Sequence, residues 1–388
     1  MRRLAVLLLA LWAIAPGQVN AQASEFGIRG LGLPGRSASA RALALGGSFG
    51  LFDGESSVNP ATLGTLPVVT TLFTSGASWR NTTNPAGKAS LSDTRFPQIL
   101  VGGPIPATRM AIGISYSTYA DRDFFTVSKG TASPRGVPVN YIDTLISLGG
   151  INDLRVAMSY RRSTRILFGA GVHVLTGSNR LTGLREWEDS SYQAVPERAE
   201  LSYLGFGLSA GMLLQPMSGL AIAASIRKDT PLDVQVDSSQ TLAGTVELPL
   251  TLAGGVRVRA RRGVEVSSAV TWRNWSKADA GLRELGAIGA ANTLEFTAGV
   301  ELIKDARRPT QFPVRVGFRY TDLPFLITPG VQPNEWSISA GTGFRFSGDH
   351  GGVDLSLQRF ERSQGTTYKE TGMILSIGVS VRSSGARP

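Results

Sequence analysis

Cysteine is absent from the 388 residues, which excludes disulfide staples and thiolate metal sites. Histidine occurs only at His173 and His350. Neither lies near a second histidine or a metal-spaced acid in sequence, so both read as structural or solvated, and neither a metal nor a cofactor is expected. Charged residues make up only 18% of the chain. The formal charge of +10 is carried by arginines scattered along the sequence and not in one block, so no nucleic-acid partner is expected. Long hydrophobic runs are also missing after residue 15. The one present, residues 4–15, is too short for a membrane helix of roughly 20 residues. With Arg2 and Arg3 before it and Asn20-Ala21-Gln22-Ala23 after it, residues 1–23 read as an export signal.

What the chain does have is glycine, 46 residues of it, and a pattern of period two from Pro67 onward. In "PVRVGFRYTDLPF", Val314, Val316, Phe318 and Tyr320 share one face while Arg315, Gly317 and Arg319 share the other. A helix would scatter these residues, whereas a strand separates them. "EWSISAGTGFRFSG", "ANTLEFTAGVELI", "GMILSIGVSVR" and "RMAIGISYSTY" separate in the same way. About fifteen such segments occur, each near the 9–11 residues of a tilted membrane strand. One is doubtful: within residues 141–161, Gly149-Gly150 reads as a kink or bulge inside a single strand.

One face carries Leu, Ile, Val and aromatics, and the other Gly, Ser, Thr, Arg and Glu, which suits lipid outside and a wet lumen inside. Open edges do not survive in hydrocarbon, so such a sheet must close. The expected fold is an all-β, transmembrane antiparallel β-barrel over residues 67–383, with a short tail at 384–388. Short turns at 161–165, 260–263 and 346–352 alternate with long polar insertions at 120–140, 180–198, 228–240 and 276–291.

Motifs for chemistry are weak. Gly207-Leu208-Ser209-Ala210-Gly211 matches the G-x-S-x-G of hydrolases, but that motif needs a strand-to-helix turn and here lies inside an alternating segment. Gly30-Leu31-Gly32-Leu33-Pro34-Gly35 matches G-x-G-x-x-G without the strand before it or the helix after it. Glu186, Glu188 and Asp189 read as a solvated charge run, with a weak calcium site as the alternative. No enzyme is expected. The arginines of the polar face, Arg257, Arg259, Arg273, Arg315, Arg319 and Arg345, have two readings. They pair across the interior with Glu265, Glu295 and Glu301, or one or two of Arg257, Arg315, Arg319 and Arg345 meet a substrate carboxylate.

Residues 24–66 do not alternate. "SARALALGGSFGLFDGESSVNPATLG" resembles the N-terminal signature of the FadL-type outer-membrane long-chain fatty-acid transporter superfamily, and residues 313–325 resemble one of its later strands. The resemblance implies a fourteen-stranded barrel in the bacterial outer membrane, plugged by an N-terminal hatch at residues 24–66. It places Asn59, Pro60 and Ala61 in the hatch, with Gly46 and Gly47 permitting tight packing or hinges. It also implies a hydrophobic, fatty-acid-like substrate, outer-membrane lipids around the barrel, and the barrel-assembly machinery as a partner. Three features depart from the family pattern. Thr62 stands where a smaller residue is common, the chain is short for a fatty-acid transporter, and "SVRSSGARP" carries no terminal aromatic assembly signal. A PorV-like barrel docking secreted cargo and a general porin are the alternative functions.

Overall fold

The computed structural model describes residues 25–84, 87–134, 136–236, 241–303 and 312–383. The expected export signal and the tail at 384–388 lie outside the described residues. Fourteen strands form the wall. They are β1 (Thr70–Asn84), β2 (Gly87–Pro104), β3 (Met110–Asp121), β4 (Val139–Ser163), β5 (Ile166–Trp187), β6 (Val195–Met217) and β7 (Leu220–Asp229). After these come β8 (Thr251–Arg261), β9 (Val264–Arg273), β10 (Thr293–Leu302), β11 (Val314–Asp322), β12 (Asn334–Phe346), β13 (Gly351–Gln364) and β14 (Tyr368–Arg382). Each pairs antiparallel with its neighbours. β14 pairs with β1, from Lys369↔Thr83 to Arg382↔Thr70, and closes the ring.

Burial follows the sequence parity. On β11 Val314, Val316, Phe318 and Tyr320 point outward and are exposed, while Arg315 and Arg319 point inward and are buried. Ile112, Ile114 and Tyr116 on β3, and Leu154, Val156, Met158 and Tyr160 on β4, extend the same outward apolar band. Gly149 interrupts the pairing inside β4: Gly149↔Asn179 is followed by Asn152↔Thr176. It adopts φ +122, a left-handed value that glycine tolerates. The expected bulge within one long strand is therefore present.

Two expected loops are instead largely strand. Residues 180–198 hold the ends of β5 and β6, and residues 120–140 contain a further strand, Phe124–Ala132, paired to β4. β4, β5 and β6 are 25, 22 and 23 residues long, well beyond the 9–11 or so that a bilayer requires. Where both faces of a strand meet water, no apolar–polar alternation is required, and the pattern that reveals strands in lipid disappears. A hairpin, Leu232–Val236 with Thr241–Val246, adds to β6 at the same end. Residues 276–291 carry the short helices Trp275–Ala278 and Asp279–Glu284. Trp275, Leu282, Phe325, Leu232, Val246 and Leu248 make an apolar cluster there.

Residues 25–66 bond to inward-facing groups on strands all round the ring. Gln98 on β2 donates to the Glu55 carbonyl at 2.7 Å, and Arg155 on β4 donates to the Ser57 carbonyl at 2.8 Å. Ser48 and Ser267 on β9 share a 2.7 Å hydrogen bond. Arg41 meets Glu301 on β10 at 2.6 Å, and Arg382 on β14 meets Glu55 at 3.0 Å. Arg36 reaches Gln358 on β13 at 2.7 Å and also pairs with Glu335 on β12.

Those last contacts join an alternating ladder of buried charges. Glu370, Arg362, Glu335, Arg319 and Glu295 follow one another, with Arg362–Glu335 at 2.6 Å and Arg319–Glu295 at 2.7 Å. A second chain runs Arg41, Glu301, Arg315, Asp354, Arg345. Buried ions persist only when paired, and removal of one partner strands the others.

Phe318→Arg, at the middle of β11, lowers barrel stability by about 2–4 kcal/mol, and Val314→Arg near its end by about 0–1 kcal/mol, in reversible unfolding from phospholipid vesicles. Equal losses at the two positions would contradict an outward band centred on Phe318. Glu335→Gln leaves Arg36, Arg319 and Arg362 facing one another and costs about 3–5 kcal/mol in the same assay.

Candidate functional site

Asn59, Pro60 and Ala61 open the 3-10 helix Pro60–Thr65. Proline suits the first helical position because its missing N–H would have no partner there. Asn59 caps the turn, its Oδ1 accepting from the Ala61 N–H at 3.0 Å. Its Nδ2 donates to the carbonyls of Leu51 at 3.0 Å and of Met212 on β6 at 3.2 Å. One buried amide thus links two parts of the N-terminal segment to the wall.

Glycines in the wall make room for it. A Cβ on Gly211 would overlap Asn59 Oδ1, and one on Gly169 would overlap the Ala61 nitrogen. Gly46, at φ +70, donates its N–H to Ser339 Oγ at 3.0 Å, and a Cβ on Gly317 would overlap the Gly46 nitrogen. Gly47, at φ +96, precedes the 3-10 helix Ser48–Phe52. Thr62 is buried, its hydroxyl 2.7 Å from the Asn59 carbonyl and 3.0 Å from that of Asp53. The hydroxyl thereby gives the larger side chain a specific place.

Between the N-terminal segment and the wall lies a cavity of about 220 Å³. Leu43, Leu51 and Val58 border it from the segment, Ala269 from β9, and Trp275 and Leu323 from the connections that follow β9 and β11. Its polar border includes Arg36, Arg319 and Glu335 on one side and His173, Ser209 and Arg227 on the other. Burial foremost, with the Arg319 charge, pushes Arg36 down to about 10, so it remains protonated at neutral pH. Burial, with the Asp53 charge, pushes the Glu55 carboxyl above the usual carboxylate range.

The four arginines weighed as carboxylate binders have different surroundings. Arg315 meets Glu301 at 2.7 Å and Asp354 at 2.6 Å. Arg319 meets Glu295 and Glu335, and Arg345 meets Asp354 at 3.0 Å. All three already face carboxylates, and of the four only Arg319 borders the cavity. Arg257 has no ion pair among the described residues. Its guanidinium lies 5.5 Å from the Phe49 ring centre and 5.8 Å from that of Phe52. Glu188 and Asp189 bond to Asn140 and to the Ser191 N–H, and no metal-binding group of three or more side chains occurs among the described residues.

One juxtaposition was not visible in the linear sequence. His173 on β5 lies with Nδ1 at 2.9 Å from Asp153 Oδ1 on β4 and Nε2 at 2.8 Å from Ser209 Oγ on β6. Ser209 is the serine of the G-x-S-x-G match, and the strand runs straight through it. All three residues have inward parity, but only the register of three strands brings them together.

No protein-family model and no curated protein matches the chain. Solved structures do. A Pseudomonas aeruginosa FadL homologue superposes with TM-score 0.63 at 13% identity, over 90% of this chain and 99% of the other. The Ralstonia pickettii toluene transporter TbuX gives 0.57 at 14% identity, over 90% and 99%. The P. putida toluene transporter TodX gives 0.55 at 12% identity, over 91% and 100%. At these identities the likeness is one of fold, and the chain has the barrel fold of the FadL homologue and the toluene transporters.

Proposed function

We propose that this protein is a bacterial outer-membrane channel that takes up small hydrophobic molecules, with residues 25–66 as a hatch in its lumen. The observation that carries this reading is the cavity inside the ring where the N-terminal segment meets the wall, with Leu43, Leu51 and Val58 of the segment facing a border of mixed polarity. A water-filled porin needs an open lumen; here the interior is occupied by a segment bonded to strands on every side. Transport follows from differential binding: the pocket holds the molecule, and a shift of the segment opens its way onward.

Size narrows the substrate. An apolar cavity of roughly 150 Å³ accommodates benzene, whereas drug-sized ligands occupy pockets from about 300 Å³ upward. At about 220 Å³, the pocket fits a substituted benzene ring better than a long acyl chain. The carboxylates already facing Arg315, Arg319 and Arg345 also favour an uncharged molecule. The toluene transporters of the same fold support this reading, and long-chain fatty acids are the alternative substrate.

Asn59→Ala removes the cap and leaves the Leu51 and Met212 carbonyls without their donor, at about 1–3 kcal/mol, which shifts the ratio of closed to open arrangements by about 5- to 150-fold. Because the pocket that holds the molecule forms only in the closed arrangement, uptake of labelled toluene by cells producing this variant falls at least about fivefold while the barrel stays inserted and heat-modifiable on gels. Wild-type uptake by Asn59→Ala would sink the hatch assignment. For substrate size, purified wild-type protein in liposomes takes up toluene saturably and shows no saturable uptake of palmitate; the reverse pattern would establish the fatty-acid reading.

A further inference from the structure

The Asp153–His173–Ser209 row has the bonding order of a nucleophile, a base and a carboxylate that fixes the base. Asp153 accepts from one ring nitrogen only if the proton sits on Nδ1, at 2.9 and 3.0 Å from its two oxygens. That tautomer leaves Nε2 as the acceptor for the Ser209 hydroxyl at 2.8 Å. Arg227 on β7 holds Asp153 Oδ2 at 2.5 Å, which orients the carboxylate. The wall is built to admit this row. His173 stands opposite Gly207, and Ser209 opposite Gly171. A side chain on Gly207 would meet Asp229, and one on Gly171 would press on Ser209 Oγ. With glycine at both positions, the larger groups tile diagonally across three strands.

Two further facts distinguish the row from a lumenal polar network that serves only to satisfy itself. His173, Ser209 and Arg227 border the cavity, and Ser209 is partly exposed. Arg227 stands directly opposite Ser209 in the register, and its Nη2 is buried without a hydrogen-bond partner. An unpaired guanidinium N–H on the residue that faces a histidine-bonded serine across the register is the kind of donor that meets a carbonyl oxygen when negative charge develops on it.

We propose that Ser209 is the nucleophile of an acyl-transfer site in the lumen that cleaves esters of small hydrophobic acids or alcohols. Ser209 Oγ adds to the ester carbonyl carbon as its proton passes to His173 Nε2, and the developing oxyanion meets Arg227 Nη2. The carbonyl–alkoxy bond breaks, and the alcohol leaves with the proton from His173. Water then attacks the acyl-serine, gives its proton to His173 and releases the carboxylic acid, and Ser209 regains its hydrogen. Asp153 acts as a positioning residue for His173.

The test is active-site labelling of the folded barrel in detergent micelles, which reads the serine without any transport step and so stands or falls apart from uptake. A fluorophosphonate probe is expected to give one adduct, located on Ser209 by peptide mass spectrometry, and none in Ser209→Ala. His173→Gln, checked for heat-modifiability, slows labelling by at least about a hundredfold, the lower end of general-base contributions. p-Nitrophenyl butyrate is hydrolysed by the wild type and not by Ser209→Ala. An unlabelled Ser209 in folded wild type, under conditions that fully label a control serine esterase, would overturn the proposal. So would an equal labelling rate in folded His173→Gln.

Discussion

A peptide amide surrounded by hydrocarbon has no water to bond, and each one left alone costs several kcal/mol. That single penalty sets the architecture. Every strand of the wall must have a neighbour on each side, so the last strand has to find the first, and β14 pairs with β1 along its whole length. Once the ring is closed, alternation leaves each side chain only two places to go. Apolar groups such as Phe318 and Ile114 go out, and Arg315, Glu301, Glu335 and Asp354 go in. The inward charges then pose a second problem of the same kind, solved by the ladders in which each ion faces an opposite one.

The N-terminal segment is the third consequence. A closed ring with a polar inner face presents donors and acceptors that need partners, and the segment supplies them through Arg36, Arg41, Glu55 and the Asn59 amide. Close approach depends on glycine in the wall at 169 and 317, where any side chain would occupy the space taken by the segment's backbone, and at 211, where it would occupy that of the Asn59 side chain. The remaining gap is the cavity, and its border is mixed because apolar side chains of the segment face a wall that is polar by parity.

Much of this was legible in the sequence wherever lipid imposes a rule. The outward parity of Val314, Val316, Phe318 and Tyr320 follows from period two, and the interruption at Gly149 from the glycine pair at 149 and 150. Beyond the bilayer the rule lapses, and strand ends at 180–187 and 195–198 read as loop because nothing there enforces alternation. The arginine ladder was half legible: residue types on the inner face were evident, but the pairing of Arg319 with Glu295 and Glu335 depends on strand neighbours. The same limit hid the histidine row. Asp153, His173 and Ser209 are separated by 20 and 36 residues, and only inter-strand register makes them adjacent. The glycines at 171 and 207 were the faint signal, small residues on the inward face opposite larger ones.

Several partners of the N-terminal segment come last off the ribosome. Gly46 bonds Ser339 across 293 residues of sequence, and Glu55 meets Arg382 across 327. Contacts this distant form slowly, so the segment lacks its partners on β12 and β14 until synthesis is nearly complete. Its own serines hold Asp53, with Ser39 at 2.6 Å and Ser56 at 2.8 Å, a local knot that needs no other part of the chain. The segment can therefore set its turns before the ring exists, and the closing strands assemble around a core that is already shaped.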